Sequence, residues 1–179
     1  MFLEGAQWAS EHPDDALAEE RRPHLPFLEQ AVALALAAES AGNLPIGAVI
    51  VLKGEVIAQG QNSLLEPHYH PGRHGEIEAL KQVPAPLWRQ ASAMVCYTTL
   101  EPCVMCYGSL LLHGVGKIIF GATDPEGGFR TIESALPTFY YNHARPEWQG
   151  PLYPEICDPL YQRAKRLFGE TPVGRETSQ

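Results

Sequence analysis

The sequence predicts an α/β fold, a sheet covered by helices, and two stretches carry this prediction. A β-branched run at 46–52, a Lys-Gly turn and an alternating run at 55–61 form the pattern of a β-hairpin. Further along, one helical stretch lies between apolar strands at 92–98 and 115–122. A helix that joins two strands in this way makes a right-handed crossover, so these strands are predicted to be parallel. The result is an α/β layer with a pair of helices below the sheet.

Four helices are predicted between residues 25 and 169, and proline at the start and glycine after the end mark the boundaries of the first. They run from Pro26 to the Gly42-Asn43 stop, from Glu76 to Pro84, from Cys103 to His113, and from Pro154 to Phe168. Residues 123–152 contain no clear element and are rich in aromatic residues. Segments of this length in a compact domain tend to be lids or binding surfaces.

The length of 179 residues indicates one folded domain at 25–169. Residues 1–24 are interpreted as an N-terminal extension, helical from about 14 to 21, and residues 170–179 as a loose C-terminal tail. No apolar run approaches the roughly 20 residues that cross a bilayer. The chain start lacks the basic and apolar segments of a secretory signal. We therefore expect a cytoplasmic protein without membrane partners.

The formal net charge is −8 and the sequence pI is about 5.3. Nucleic-acid binding depends on clustered Lys and Arg, so this balance argues against an extensive nucleic-acid surface. A local basic patch remains possible. Four cysteines do not form a disulfide scaffold in a chain of this size, and two of them have metal-ligand spacing. Cys96 lies in an apolar strand and is predicted to be a core residue, and Cys157 has no obvious partner.

The stretch from His74 to Cys106 carries the chemistry. His74, Cys103 and Cys106 offer one imidazole and two thiolates, which leave a fourth tetrahedral position open, as in catalytic zinc sites. All three lie at predicted helix starts, where the helix dipole favours ionised thiolates. Glu76, two residues from His74, faces another side of its helix. Its carboxylate is therefore predicted to lie beside the open position, as a proton shuttle.

Two other interpretations of these ligands are a structural zinc knuckle and ordinary core cysteines. A knuckle requires four protein ligands, and His68, His70 and His113 are the available candidates for the fourth. The open catalytic site is favoured because two separate submotifs occur in the correct order. His68 and His70 are then loop residues, with a substrate contact possible.

The pattern His-x-Glu followed by Pro-Cys-x-x-Cys is the signature of the zinc nucleobase deaminases. Over about 27–124 the chain resembles the cytidine deaminase-like superfamily, and most closely its branch of bacterial tRNA adenosine deaminases and guanine deaminases. The resembling segments are 45–51, Asn62, 74–80, 99–106 and 115–124. The resemblance implies a three-layer α/β/α fold with a mixed five-stranded sheet, its fifth strand in 128–153. It also implies one Zn²⁺ per chain, held by His74, Cys103 and Cys106, and a catalytic role for Glu76. A homodimer is implied as well.

The resemblance further implies which residues contact the substrate. They are Asn62, Gly47, Ala48, Gly75 and Pro102. An asparagine such as Asn62 at a strand end is also an ordinary turn residue. Two departures stand out: Gly75 replaces the usual alanine, and after Asp124 the chain lacks a strongly basic C-terminal helix and has an aromatic segment instead.

Three functions follow from these observations. The first is hydrolytic deamination of a free nucleobase, nucleoside or related amino-heterocycle, supported by the acidic charge and by an aromatic lid. That lid would consist of Phe129, Phe139, Tyr140 and Tyr141, residues that equally suit a core or a dimer contact. The second is a tRNA wobble-adenosine deaminase, which predicts a basic cleft. That cleft would contain Arg73, Arg130, Arg145 and Lys117. The third is a non-catalytic, zinc-stabilised interaction domain, against which the intact Glu76 argues.

Overall fold

The centre of the computed structural model, which describes residues 18–141 and 145–171, is a mixed five-stranded sheet. Its strands are β1 (Gly47–Leu52), β2 (Glu55–Gln61), β3 (Met94–Leu100), β4 (Lys117–Ala122) and β5 (Glu147–Gln149). They lie in the order β2-β1-β3-β4-β5. β1 is antiparallel to both β2 and β3, whereas β3, β4 and β5 are mutually parallel neighbours. The hairpin, the parallel crossover and the fifth strand within 128–153 are therefore confirmed.

Between residues 25 and 171, the described chain has five α-helices around the sheet, and a 3₁₀ segment, Ala85–Ala93, leads into β3. The helices are α1 (Leu25–Ser40), α2 (Gly75–Gln82), α3 (Val104–Leu112), α4 (Thr138–Tyr141) and α5 (Pro154–Glu170). Alternate residues of a strand face opposite sides of the sheet. Ala48 and Ile50 of β1 accordingly pack in the core with α2 and α3, while Val49 and Val51 pack in a second cluster with α1. The predicted α/β/α arrangement is confirmed.

Helix α5 lies on the same face of the sheet as α1. Cys157 of α5 packs so closely against Gly121 of β4 that a Cβ at 121 would lie 2.2 Å from the sulfur. Arg163 of α5 pairs with Glu39 of α1, with its Nε 2.7 Å from Oε1. The prediction of an amphipathic last helix is confirmed, with its end extended to residue 170.

The segment after β4 is more ordered than the sequence indicates. It contains a 3₁₀ turn at Phe129–Ala135, the short helix α4 and strand β5. Short elements of three to seven residues leave no periodicity for a sequence pattern to reveal. Of the predicted N-terminal helix, residues 18–21 are helical and the rest lies outside the described residues. Within the described ranges, no helix combines the length and apolarity that a bilayer crossing requires.

Candidate metal centre and active site

Three potential metal ligands converge where α2 and α3 begin. His74 Nδ1 lies 3.6 Å from Cys103 Sγ and 3.5 Å from Cys106 Sγ, and all three ligand atoms lie within 4.8 Å of one another. Zinc bonds of about 2.0–2.1 Å to nitrogen and 2.3 Å to sulfur place tetrahedral nitrogen and sulfur ligands about 3.6 Å apart. The donor set and its spacing therefore fit a tetrahedral zinc ion.

The local fold explains this convergence. His74 is the N-cap of α2 and Cys103 is the N-cap of α3, with Cys106 in the first turn. Helix N-termini favour negative charge. A hydrogen bond from Cys106, together with those from His74 and the backbone, outweighs burial and lowers the pKa of Cys103 to about 4. The Cys103 side chain is thus disposed to be the thiolate that a metal requires.

The pKa values of the other two ligands, Cys106 and His74, are shifted by the same contacts. The bond to Cys103 and burial raise the pKa of the Cys106 thiol. Burial alone would lower the pKa of His74, but the bond to Cys103 and the nearby Glu76 carboxylate outweigh it, so this pKa is raised. Of the two thiols, Cys103 is therefore the one disposed to ionise, and Cys103 and His74 remain partly accessible whereas Cys106 is buried.

Glu76 lies beside the cluster rather than within it. Its Oε2 is 3.3 Å from Cys106 Sγ, and its Oε1 accepts a 3.2 Å hydrogen bond from the Thr98 hydroxyl. The residue is 3% exposed, and burial, followed by repulsion from Cys103, raises the pKa of Glu76. A buried carboxyl with a raised pKa, next to metal ligands, suits proton transfer near neutral pH.

A cavity of about 360 Å³ opens from this cluster at the carboxyl ends of the parallel strands β3 and β4. Binding sites of α/β sheets commonly occupy this position. His74, Glu76 and Cys103 form its inner end. Its sides are mostly apolar, with Leu44, Ile46, Leu100, Ala164 and Phe168, and its outer end is polar, with Asp124, Glu126, Tyr161 and Lys165. The cavity therefore suits a flat apolar ring with polar groups at both ends.

The predicted substrate-binding residues lie next to this cavity. Asn62 is fully buried, its backbone N–H donates to Ile46 in the cavity wall, and its side-chain Nδ2 has no hydrogen-bond partner. A Cβ at Gly75 would lie 3.2 Å from the Ile46 carbonyl oxygen and 3.4 Å from Gly47 Cα. The structure thus brings Asn62, Gly47 and Gly75 together.

Other observations account for the remaining predicted contacts. Gly47 is held against α1, where a Cβ would meet the Ala31 carbonyl oxygen at 2.2 Å, and its neighbour Ala48 lies in the core below the sheet. Pro102 is buried before Cys103, and its carbonyl accepts a hydrogen bond from the Phe129 N–H. The close approach to α1 explains the glycine at 47, whereas the Pro102 contact is made by the backbone.

The competing histidines and the aromatic lid lie elsewhere. Within the described chain, His68, His70 and His113 are exposed and outside the ligand cluster. Phe129 stacks on Tyr107 in the core below the sheet, and Tyr140 lines a separate groove there. The lid prediction is therefore wrong for Phe129 and Tyr140, because the 3₁₀ turn carries them to the face opposite α5. Phe139 is 63% exposed, contacts Tyr140 edge-on and is also outside the cavity lining. The Tyr141 side chain lies outside the described residues.

The basic cleft is also not formed by the predicted residues. Each arginine has an acidic partner: Arg73 pairs with Glu78, Arg130 approaches Glu101, and Arg145 pairs with Glu133. Lys117 is partly buried in β4 and lowers the pKa of His24. The positive charges are neutralised within the fold, a relationship that linear spacing does not reveal.

Sequence reasoning missed two residues that support the site. Thr98 is completely buried and binds Glu76. Glu101 is 2% exposed, and its carboxylate accepts hydrogen bonds from the N–H groups of Asp124 and Arg130. Both lie in the Thr-Thr-Leu-Glu-Pro-Cys run, where a charged residue two positions before a metal ligand was the available signal.

The fold and the site together define the class of hydrolytic deaminases, and comparison with known proteins gives the family. The family model described as MafB19-like deaminase matches residues 23–144 of this chain. The chain belongs to this family, within the cytidine deaminase-like superfamily. It is therefore a hydrolase that acts on C–N bonds, which removes the interpretation as a non-catalytic interaction domain.

Several characterised relatives are similar over most of the chain. A tRNA-specific adenosine deaminase of Bacillus subtilis is 38% identical over 153 residues, covering 84% of this chain and 94% of the relative. One from Aquifex aeolicus is 34% identical, covering 79% and 93%. An alignment of 153 residues extends beyond 27–124, so the expectation that resemblance ends at Asp124 is wrong.

Solved structures are similar as well. A tRNA:A34 deaminase, described for A-to-I editing at the wobble position of transfer RNA, has a TM-score of 0.66 and 29% identity. The match covers 76% of this chain and 99% of that one. A guanine deaminase of Bacillus subtilis has a TM-score of 0.51 and 28% identity, covering 78% and 93%. The branch containing these two kinds of enzyme is thereby confirmed.

Proposed function

We propose that this deaminase is zinc-dependent and converts adenosine to inosine in tRNA, at the wobble position. The observation that carries the proposal is the convergence of His74, Cys103 and Cys106 beside the buried Glu76, at the inner end of a 360 Å³ cavity. The names of the relatives support the tRNA substrate over the free nucleobase or nucleoside that composition favoured.

In this proposal His74 Nδ1 and the sulfurs of Cys103 and Cys106 hold one zinc ion per chain. A zinc ion held by these three side chains would lower the pKa of a water molecule toward 7 and so supply the nucleophile. Glu76 accepts one proton from the attacking water and passes it to the ring nitrogen, then accepts the second from the added hydroxyl and passes it to the amine, which leaves as ammonia. Water and an amine-bearing ring are thus converted to a ring carbonyl and ammonia. Thr98 holds the Glu76 carboxylate during both transfers.

Substrate recognition in the proposal uses Asn62 and the backbone at the inner end of the cavity. The free Nδ2 of Asn62 donates a hydrogen bond to an acceptor on the base, because its Oδ1 already accepts one from the Leu64 N–H. The backbone of Gly47, Ala48, Gly75 and Pro102 shapes the inner end. A base inside a folded RNA reaches such a pocket by flipping out of its stack. One short flipped segment needs little basic surface, which is compatible with a net charge of −8.

A second candidate is deamination of free guanine, favoured by the mostly apolar sides of the cavity and by the guanine deaminase similarity. The zinc-loaded protein separates the candidates in an ammonia-release assay. The substrates are an anticodon stem-loop with adenosine at the wobble position, the same stem-loop with guanosine there, and free guanine, adenine, cytosine and their nucleosides. We expect ammonia and inosine from the first stem-loop. Turnover of guanine without turnover of the stem-loop would select the second candidate.

We also propose that the chain forms a homodimer, as the superfamily resemblance implies. Val104 and Leu112 of α3 are 60% and 67% exposed, and both line the groove that Tyr140 closes. Contiguous apolar surface of this kind favours association. The molar mass from light scattering tests the proposal. A dimer for the natural chain and a monomer for Leu112→Glu are expected, and a monomeric natural chain would exclude the dimer.

A further inference from the structure

Two parts of the chain form the outer wall of the cavity. One is the wall loop, residues 123–128, which follows β4, and the other is α5. The Tyr161 hydroxyl of α5 donates a 2.7 Å hydrogen bond to Asp124 Oδ1. Lys165, one turn further along α5, forms an ion pair with Glu126. The wall is therefore held together by two contacts between side chains.

Asp124 organises the wall loop around one oxygen atom. Its Oδ1 accepts the Tyr161 bond and also the N–H groups of Glu126, at 3.1 Å, and Gly127, at 3.0 Å. The loop then reaches Gly128, which forms an antiparallel bridge with Cys103. One end of the loop thus touches a metal-ligand residue, and its middle is fastened to α5.

The two contacts differ in strength. Lys165 and Glu126 have side chains that are 41% and 66% exposed, and exposed ion pairs contribute little. Tyr161 is 9% exposed, and its ring packs with Leu100, Ala122 and Cys157. Burial and the bond to Asp124 raise the pKa of Tyr161, so its hydroxyl remains a proton donor at neutral pH. The ring position is fixed by packing, and the hydroxyl determines where Asp124 lies.

We propose that Tyr161 is a positioning residue for substrate binding: by holding Asp124 it keeps the wall loop in the shape that completes the cavity. Without the hydroxyl the loop samples several positions, and substrate binding must then order it. A cost that is equal in the ground state and the transition state raises KM and leaves kcat unchanged.

The test is Tyr161→Phe, which removes one hydroxyl and leaves the packed ring. Removing one hydrogen bond of ordinary strength corresponds to an effect of about three- to tenfold. We expect KM for the wobble-adenosine stem-loop to rise by about that factor, with kcat unchanged within twofold and zinc content unchanged. Hydrogen exchange of the peptide that contains the Glu126 and Gly127 amides, followed by mass spectrometry, should accelerate by about the same factor.

Tyr107→Phe is the matched control. Tyr107 is fully buried and its hydroxyl donates a hydrogen bond to Glu133 Oε1, also of 2.7 Å, but it lies outside the cavity lining. We expect this variant to lose stability without any change in KM or in the exchange of the Glu126 and Gly127 amides, which lie outside its contact with Phe129. Equal effects of the two variants, or a fall in kcat alone for Tyr161→Phe, would overturn the proposal.

The kinetic part of this inference rests on the proposed function, and the exchange part does not. If guanine is the substrate instead, the same comparison is made with guanine. If the natural chain turns over neither substrate, the proposed function fails while the exchange comparison still decides the role of Tyr161. Unchanged exchange at 123–130 in Tyr161→Phe would then reject that role.

Discussion

The Thr98 hydroxyl donates a 3.2 Å hydrogen bond to Glu76 Oε1, which links the central strand β3 to the first turn of α2. Both residues are buried, and the other carboxylate oxygen of Glu76 lies against Cys106 Sγ. The carboxylate is therefore held from two sides, in an orientation that its own short helix does not determine.

Replacing Thr98 by valine should reduce turnover without removing the metal. Valine keeps the β-branched shape and loses the donor, so the Glu76 carboxylate gains rotational freedom. We expect kcat to fall by about three- to tenfold, the effect of one ordinary hydrogen bond. Steady-state kinetics and zinc content measure the two effects, and an unchanged kcat would show that Thr98 is dispensable.

Glu76→Gln should retain zinc and lose turnover by about 10²–10⁴-fold, the usual contribution of general acid–base catalysis. Glutamine fills the same space and cannot accept the proton. Glu78→Gln is the control, because Glu78 lies in the same helix and pairs with Arg73 and Lys81. In single-turnover assays, Glu78→Gln should react at close to the rate of the natural chain. Full activity of Glu76→Gln would exclude Glu76 as the proton shuttle.

Removal of either sulfur ligand should abolish zinc binding. The natural protein is expected to contain about one zinc ion per chain, and Cys103→Ala and Cys106→Ala almost none, because two ligands are insufficient for a stable zinc site. Cys96→Ala is the control, since Cys96 is completely buried and lies outside the cluster of ligand atoms. Elemental analysis after gel filtration gives the stoichiometry. Stoichiometric zinc in Cys103→Ala would contradict the assigned ligand set.

Glu101→Gln should destabilise the fold. The buried carboxylate accepts the N–H groups of Asp124 and Arg130, and an amide replaces one acceptor by a donor that faces an N–H group. We expect the free energy of unfolding to fall by about 1–3 kcal/mol in urea denaturation. Glu39→Gln also breaks two hydrogen bonds, both to Arg163, at a partly exposed position. Glu39→Gln should lower the free energy of unfolding by about 0–1 kcal/mol. An equal loss in the two variants would contradict the larger contribution assigned to the buried Glu101 carboxylate.

The stability of the fold should depend on pH through His24. Burial and the nearby Lys117 lower the pKa of His24 from its usual 6.5, so the unfolded chain binds more protons. This contribution to stability is complete above pH 6.5 and is lost as the pH falls through the lowered pKa.

Urea denaturation across this pH range tests the His24 effect. His24→Gln should show a smaller loss of unfolding free energy between neutral and mildly acidic pH than the natural chain. His113→Gln, at an exposed histidine, should retain the natural slope. An unchanged slope for His24→Gln would assign the pH dependence to other groups.

The sequence predicted the parts of the fold that have a long or regular pattern. The β1–β2 hairpin, the crossover through α3 and the packing of Cys96 all follow from local periodicity. The spacing of His74, Cys103 and Cys106 predicted ligands at two helix starts, and the structure brings those side chains together.

Relationships between distant segments could not be predicted in this way. Arg130 approaches Glu101, and Tyr161 binds Asp124 across 37 positions of sequence, and local pattern reveals neither contact. The basic cleft predicted from the tRNA hypothesis is therefore not formed by its arginines, and Phe129 and Tyr140 lie outside the predicted lid. The 3₁₀ turn at Phe129–Ala135 redirects the aromatic segment, and such turns carry little pattern. The outer wall of the cavity was therefore the least predictable part of the site.

The position of α5 separates the residues proposed for catalysis from residues that line the outer part of the cavity. Helices α2 and α3 carry His74, Glu76 and both sulfurs from one face of the sheet, and α5 contributes Tyr161, Lys165 and Phe168 from the other. Random mutagenesis confined to α5 would therefore leave the proposed metal ligands and Glu76 unchanged. Such libraries provide a route to variants that accept new amine-bearing rings.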